Sequence, residues 1–252
     1  MKLLQFLKYK ALDTKTNYDL RKSGVKTFSE YGLRLYSGCQ GSGKTSSMIE
    51  QLERYRLEYG GQLFIATNFG YKNQDLALET FEDLVDLPKL VRELGYIGLV
   101  IGWDEIQNDF DNTTRNFPVT ILRTITQQRK QAIKILATSQ VFTRVAKPIR
   151  EQTFEVVQCR TFVGRWVFQK WYDPVEYEYY IANANKDQKL PVKRKYNYVQ
   201  TDHMRDQYDS YAVIDNLGKQ VELSLEERIR MGYGKNDPII GQAAEPKRIL
   251  IN

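Results

Sequence analysis

The sequence predicts an α/β fold with a mainly parallel, doubly wound sheet, and three observations support this prediction. Apolar segments typical of strands alternate with segments of helical periodicity over residues 31–139, and such alternation favours right-handed crossovers between parallel strands. Residues 96–103 are almost continuously apolar, as expected of a strand that is covered on both faces. A glycine-rich turn at residues 38–43 joins the first strand to the first helix.

The predicted elements fall into two groups along the chain. Strands are predicted at residues 31–37, 62–68, 96–103 and 132–139, and helices at residues 44–59, at residues 81–94 with a break or kink at Pro88, and from Pro118 onward. After about residue 152 the alternation stops, and consecutive strands are predicted at residues 154–162, 165–172 and 176–181. We interpret this second group as a β-meander or an antiparallel extension of the sheet.

The two ends of the chain differ from the middle. Leu3, Leu4, Leu7 and Ala11 recur at helical spacing, so a short amphipathic helix is expected to pack on the body or on a neighbour. Residues 183–195 are polar and basic and predict an exposed loop, and a last helix is predicted from Ser224. The predicted organisation is an N-terminal extension (1–30), a core (31–160) and a β-rich C-terminal region with a terminal helix and a loose tail (161–252).

Composition excludes several classes of protein. The longest apolar runs of the 252-residue chain are far too short to span a bilayer, so we expect a cytoplasmic protein without membrane contact. Two cysteines cannot build a disulfide framework, and with a single histidine they are too few for a metal cluster. The formal net charge of +6 permits a polyanionic partner without requiring one.

The glycine-rich turn has the pattern of a phosphate-binding loop. Residues 38–45 read Gly-Cys-Gln-Gly-Ser-Gly-Lys-Thr, which fits the P-loop pattern G-x-x-x-x-G-K-[ST]. Glycines let successive N–H groups face a phosphate, Lys44 is expected to reach the β- and γ-phosphates of ATP, and Thr45 to hold Mg²⁺. The residues predicted to bind the nucleotide are Gly38, Gln40, Gly41, Ser42, Gly43, Lys44, Thr45 and Ser46.

Polar residues at three strand ends predict the rest of a hydrolytic site. Asp104 and Glu105 follow the apolar strand at residues 96–103; this Walker-B position suits Asp104 as a Mg²⁺ ligand, through water, and Glu105 as the group that orients or deprotonates water. Gln140, after the fourth strand, is predicted to contact the γ-phosphate or the attacking water. Asn68, at the carboxyl end of the second strand, is predicted to hydrogen-bond Glu105 and to hold it away from the water until DNA or a neighbouring subunit releases it.

An arginine supplied by a neighbouring subunit is a further expectation. Arg129 lies just before the fourth strand, where a ring of subunits can bring it to the neighbour's nucleotide and stabilise the charge of the transition state. Four other arginines compete for this role, and the choice stays open: Arg115, Arg123, Arg144 and Arg150.

These motifs resemble those of the FtsK/HerA superfamily of P-loop ATPases. The resemblance rests on the P-loop, the Asp104-Glu105 pair and a strand ending in Gln140, and covers roughly residues 31–160. The run of residues 127–129 with Ile149-Arg150 is similar to the Zot-type branch, and the small size and β-rich C-terminal piece are similar to compact DNA-packaging ATPases of small double-stranded DNA phages.

The resemblance implies a ring-forming motor that moves nucleic acid. We expect ATP and Mg²⁺ as cofactors, a homo-oligomeric ring (pentamer or hexamer), double-stranded DNA as the polymer, and a portal or capsid component as a further partner. Zot-type proteins usually carry a transmembrane segment, and its absence here favours packaging over membrane extrusion. Phage-assembly or plasmid-transfer ATPases, a P-loop kinase or nucleotide switch, and a non-hydrolysing scaffold remain alternatives.

A packaging motor needs cations that grip a phosphate backbone without reading its sequence. The densest basic run lies in the predicted loop at residues 183–195, with Tyr196 and Tyr198 after it. The polar loop after Glu105 is a second candidate. The residues predicted to contact DNA are Lys186, Lys189, Lys193, Arg194, Lys195 and Arg115.

Overall fold

A computed structural model of the chain describes residues 2–24, 26–79, 81–113, 124–125, 132–183, 189–208 and 224–230. The helices of this part are α1 Lys2–Lys22, α2 Lys44–Tyr59, α3 Phe81–Glu93, α4 Ile106–Asp109, α5 Lys147–Glu151, α6 Pro174–Ala182, α7 Asp202–Asp206 and α8 Leu225–Arg230. The strands are β1 Gly32–Ser37, β2 Leu63–Thr67, β3 Leu76–Ala77, β4 Gly98–Trp103, β5 Ile133–Ser139, β6 Thr153–Phe162, β7 Trp166–Tyr172 and β8 Arg194–Val199.

The strands form one mixed sheet in the order β3-β2-β4-β5-β1-β6-β7-β8. Strands β1 to β6 pair in parallel, and β7 and β8 continue the same sheet as antiparallel neighbours. The predicted α/β class with its parallel sheet is therefore confirmed, and the β-rich C-terminal strands extend that sheet. Helix α3 continues through Pro88 without a break.

Strand β5 lies between β1 and β4, and this order assembles the site. Ser37, the last residue of β1, is level with Ser139 of β5, and Trp103, the last residue of β4, is level with Ala137. The phosphate-binding loop, the acidic pair and the end of β5 therefore leave the sheet at the same edge, where open α/β sheets bind their ligands.

Apolar side chains of β1 alternate between the two faces of the sheet. Leu33 and Leu35 pack with Val156 of β6 and with residues of α3 and α6, whereas Tyr36 packs with Met48 and residues further along α2. Helices therefore cover both faces, and β1 to β5 are buried along their whole length except for Ala77 of β3. This burial explains why the strands are apolar on both sides.

A cluster of charged side chains interrupts this core on the face that α2 covers. Arg34 of β1 is 6% exposed; its Nε donates to Glu155 at 2.7 Å and its Nη1 to Gln51 at 3.0 Å. Its guanidinium lies 4.3 Å from the ring centroid of Trp171. Burial alone would raise the pKa of the Glu155 carboxyl, but Arg34 and Lys134 outweigh this effect and lower it. The cluster therefore joins β1, β5 and β6 by ion pairs and joins β1 to α2 by the hydrogen bond to Gln51.

The predicted third strand of the C-terminal group, residues 176–181, is wrong, because Pro174–Ala182 form helix α6. The Asp173 carboxylate caps this helix, accepting from the N–H groups of Val175 at 3.0 Å and Glu176 at 3.4 Å. Pro174 takes a first-turn position, where its missing N–H costs nothing. This Asp-Pro pair is a helix-start signal, and it explains why a helix stands where the apolar residues predicted a strand.

The structure corrects two further predictions, one about the basic loop at residues 183–195 and one about the N-terminal helix. Arg194 and Lys195, predicted in the exposed loop, belong to β8 and pair with β7. The N-terminal helix is longer than predicted, and apolar side chains such as Leu4, which is 73% exposed, do not pack on the described body. The last helix begins after Ser224 as predicted, and Ser224 and Glu227 hydrogen-bond each other reciprocally as a capping box. Within the described ranges, we find no helix with the length and apolarity that crossing a membrane requires.

Candidate active site

The loop at residues 38–43 has glycine at the positions where a side chain would be strained or would clash. Gly41 and Gly43 have φ values of 73° and 87°, in the left-handed region. A Cβ on Gly43 would lie 2.7 Å from Thr161 Oγ1, and one on Gly38 would lie 2.5 Å from Ser42 Oγ. The loop therefore packs tightly against β6 and leads directly into α2, whose first N–H groups carry the partial positive charge that favours phosphate.

Lys44 lies between the loop and the acidic end of β4. Its side chain is 6% exposed, and its Nζ lies 3.3 Å from the carbonyl oxygen of Cys39 and 3.7 Å from Glu105 Oε1. A buried ammonium with a carboxylate partner is pre-positioned for the charge of a polyphosphate. The structure thus brings together Lys44 and Glu105, which are 61 positions apart in the sequence.

Asp104 is buried where two hydroxyl groups converge on it. Its Oδ1 accepts from Thr45 Oγ1 at 3.0 Å and from Thr138 Oγ1 at 2.6 Å. Burial raises the pKa of the Asp104 carboxyl above its ordinary value, while the two hydroxyl donors act in the opposite direction. The Thr45 hydroxyl and the Asp104 carboxylate are hard oxygen ligands from separate elements, and Mg²⁺ bound by one or two protein ligands keeps water and phosphate oxygens as the others. These residues fit Mg²⁺.

Asn68 has a different partner from the predicted one. Its side-chain amide bonds the main chain of Asp104 twice, accepting from the Asp104 N–H at 2.7 Å and donating to the Asp104 carbonyl at 3.2 Å. The prediction that Asn68 holds the Glu105 side chain is therefore not met in this structure. Asn68 fixes instead the path of the chain as it leaves β4, which orients both acidic residues.

The Glu105 carboxylate is held by Gln107. The Gln107 side-chain amide donates to Glu105 Oε2, and the Glu105 main chain has φ 52° and ψ 48°, a left-handed conformation that is uncommon for a residue with a Cβ. Such conformations are found at functional sites, where surrounding contacts enforce them. Gln107 was not predicted as a site residue, because nothing in the neighbouring sequence distinguishes it from a surface residue.

Thr138 links the two acidic residues and was also missed as a site residue. Its hydroxyl donates to Asp104 and accepts from the Glu105 N–H at 2.9 Å, and its side chain is fully buried. The sequence does contain a signal for Thr138, because it is a polar residue within an otherwise apolar strand and lies two positions before Gln140. Gln140 itself follows β5 and is exposed, so its predicted contact with phosphate or water stays a prediction.

The substitution Thr138→Val tests this link, because valine keeps the shape but removes the hydroxyl. We expect kcat for ATP hydrolysis to fall by about tenfold or more, since losing a buried hydrogen-bond partner costs about 1–3 kcal/mol. Steady-state kinetics over a series of Mg²⁺ concentrations would measure this change. The matched control Thr143→Val alters an exposed threonine and should leave kcat unchanged; equal effects of the two substitutions would contradict the assigned role.

Strand β8 contacts the helix that begins at the phosphate-binding loop. Tyr198 Oη donates to Ser46 Oγ at 3.0 Å and lies 3.2 Å from Ser47 Oγ, and Tyr196 Oη donates to Glu50 at 2.7 Å. These tyrosines, which the sequence placed beside a DNA-binding loop, therefore pack on α2. The Ser46 side chain is engaged by Tyr198, which leaves its N–H group as the part suited to phosphate.

The remaining predicted residues are only partly described. Arg115, Arg129 and Lys186 lie outside the described residues, so their predicted roles stay predictions. Among the others, Lys193 Nζ lies 2.7 Å from Asp173 and the Arg194 guanidinium lies 4.6 Å from the ring centroid of Trp171. Lys189 and Lys195 are exposed. Contact of this basic run with DNA stays a prediction.

Comparison with known proteins finds similar structures but no matching sequence family. No family model and no curated protein matches the chain. The N-terminal domain of zonular occludens toxin from Neisseria meningitidis is 15% identical with a TM-score of 0.45, and the match covers 71% of this chain and 98% of that one. The genome-packaging NTPase B204 of Sulfolobus turreted icosahedral virus 2, solved with ATP-gammaS, is 14% identical with a TM-score of 0.40, covering 70% and 94%.

The structures similar to this chain thus include a zonular occludens toxin domain and a genome-packaging NTPase, the two kinds of protein that its sequence resembles. Each TM-score lies below 0.5, so these likenesses alone do not indicate a function for this chain.

Proposed function

We propose that this protein is a Mg²⁺-dependent ATPase. The observation that carries the proposal is the convergence of Lys44, Thr45, Asp104 and Glu105 at one edge of the sheet, with Thr45 Oγ1 at 3.0 Å from Asp104 and Lys44 Nζ at 3.7 Å from Glu105. A phosphate-holding cation, a metal-binding pair and a general base are the parts that hydrolysis of a phosphoanhydride requires.

Each group has a distinct task in the proposed reaction. The N–H groups of the loop and the Lys44 ammonium bind the β- and γ-phosphates and offset their charge. Thr45 and Asp104 would hold Mg²⁺, which would supply positive charge beside the phosphate oxygens. Glu105 accepts a proton from the attacking water, which adds to the γ-phosphorus as the bond to the leaving oxygen of ADP breaks. Gln107 and Thr138 orient Glu105 through its side chain and main chain.

The proposal extends to a motor that translocates double-stranded DNA into a viral procapsid as a homo-oligomeric ring. Its supports are the resemblance of the motifs at residues 38–45, 104–105 and 140 to those of DNA-translocating ATPases and the net charge of +6. In such a ring an arginine of the adjacent subunit, with Arg129 as the candidate, completes the site. A portal or capsid component is then the partner that receives the DNA.

Hydrolysis by the Lys44→Ala variant, with and without double-stranded DNA, tests the proposal. We expect the wild-type protein to release phosphate from ATP, faster when DNA is present, and the variant to lose roughly 10²–10³-fold in kcat because a preorganised cation is removed. Lys89→Ala, at an exposed lysine on α3 with 83% of its side chain accessible, is the matched control.

Two outcomes would contradict parts of the proposal. Phosphate release that Lys44→Ala leaves unchanged would exclude hydrolysis at this site. Hydrolysis that depends on Lys44 but shows no response to DNA, from a protein that is monomeric by light scattering, would exclude the motor while keeping the ATPase; phosphate transfer to an added acceptor would then favour a kinase.

A further inference from the structure

A groove of about 800 Å³ opens beside the phosphate-binding loop. Residues 38–42 form one wall, and residues 158–162 of β6 with Phe168 and Lys170 of β7 form the other. The volume lies within the range of about 300–1,000 Å³ that is usual for small-molecule sites. The groove is thus continuous with the phosphate-binding loop, and its volume is large enough for a ligand bigger than a phosphate chain.

The strand wall combines an aromatic ring with positive charge. In the antiparallel register of β6 and β7, Arg160 is opposite Phe168 and Gln158 is opposite Lys170, so these four side chains share one face of the sheet. Phe168 is 38% exposed, which leaves part of its ring accessible. Its neighbour Trp166 lies at a ring-centroid distance of 4.9 Å and restricts its orientation.

The order of the strands decides which end of a nucleotide faces this groove. The groups assigned to hydrolysis, Asp104 and Glu105, follow β4, which is separated from β1 by β5 on one side. Strand β6 is the neighbour of β1 on the other side. A triphosphate bound to the loop after β1 with its γ-phosphate toward Glu105 therefore has its nucleoside end directed toward β6 and the groove.

A buried hydroxyl group gives an independent indication of a ligand. Ser42 lines the loop wall of the groove, and its Oγ has no hydrogen-bond partner among the residues that the structure describes. Ser42 as a whole is 5% exposed. Buried hydroxyls are nearly always hydrogen-bonded, and a ligand with its own donors and acceptors would satisfy this one.

We propose that this groove binds the base and ribose of the nucleoside triphosphate, with the base stacked on Phe168. The Ser42 hydroxyl faces the polar atoms of the nucleoside, and Arg160 and Lys170, which share the face of Phe168, add positive potential on this side of the loop. This inference rests on the proposed function, because the phosphates must occupy the loop for the nucleoside to reach β6.

Binding of ATP compared with binding of inorganic tripolyphosphate tests the inference, since tripolyphosphate lacks a nucleoside. We expect Phe168→Ala to weaken the affinity for ATP by about tenfold, the effect of removing one aromatic–base stacking contact, and to leave the affinity for tripolyphosphate unchanged. Phe168→Trp keeps an aromatic face and should restore ATP binding. Isothermal titration calorimetry in the presence of Mg²⁺ gives both dissociation constants.

The controls separate this inference from the proposed function. Phe154→Ala removes a phenyl ring, 51% exposed, from the distant end of β6 and should change neither affinity, whereas Lys44→Ala should weaken binding of both ligands. If Phe168→Ala leaves ATP affinity unchanged, or alters only the stimulation by DNA, the inference fails while the ATPase stands. If wild-type protein binds neither ligand, both fail together.

Discussion

Replacing Glu105 by glutamine is expected to reduce kcat for ATP hydrolysis by roughly 10²–10⁴-fold, the usual contribution of a positioned general base. Glutamine has the same shape but cannot accept the proton of the attacking water. ATP affinity should stay close to that of the wild-type protein, because the loop, Lys44 and the Asp104–Thr45 pair remain in place. Phosphate-release kinetics and ATP titration measure the two quantities separately.

A loss of kcat without a loss of ATP affinity would distinguish Glu105 from the residues that hold phosphate. Glu151→Gln is a suitable control, since its side chain is 56% exposed on α5, and it should leave kcat unchanged. A Glu105→Gln variant that hydrolyses ATP at the wild-type rate would assign the base to another group. A variant that loses ATP binding instead would show that Glu105 acts mainly through its contact with Lys44.

Replacing Arg34 by alanine is expected to lower the free energy of unfolding by about 2–4 kcal/mol. The substitution removes the partner of Glu155, the hydrogen bond to Gln51 and the stacking on Trp171. Breaking a buried ion pair costs about 3–5 kcal/mol, and we place the effect lower because the Glu155 side chain is 36% exposed and water can solvate its charge.

Urea denaturation followed by fluorescence measures this change. Arg230→Ala provides the control, since this arginine is 81% exposed and pairs with Glu226 only at the surface; its effect should stay within about 0.5 kcal/mol. An Arg34→Ala variant as stable as the control would show that the charged cluster contributes no net stability. That result would redirect attention to apolar packing between α2 and the sheet.

Local sequence patterns predicted the parts of the site that depend on neighbouring residues. The glycines and Lys44 of the phosphate-binding loop are close together in the chain, and their spacing reflects one backbone conformation. The acidic pair was predictable because it ends an apolar strand, β4. The strand predicted at residues 176–181 is wrong for a local reason too: its apolar residues fit the period of a strand or of a helix, and Asp173-Pro174 starts a helix.

An α/β core with a phosphate-binding loop and an acidic pair at a strand end could be predicted from the sequence, because short-range spacing encodes backbone conformation and strand burial. The folded chain was needed to show that Asn68 supports the main chain of Asp104, that Gln107 holds Glu105, and that Thr138 joins the two acids. These contacts depend on strand order and side-chain direction. From the sequence, several side chains at the ends of different strands were equally plausible partners of the acidic pair, because the strand order was not known.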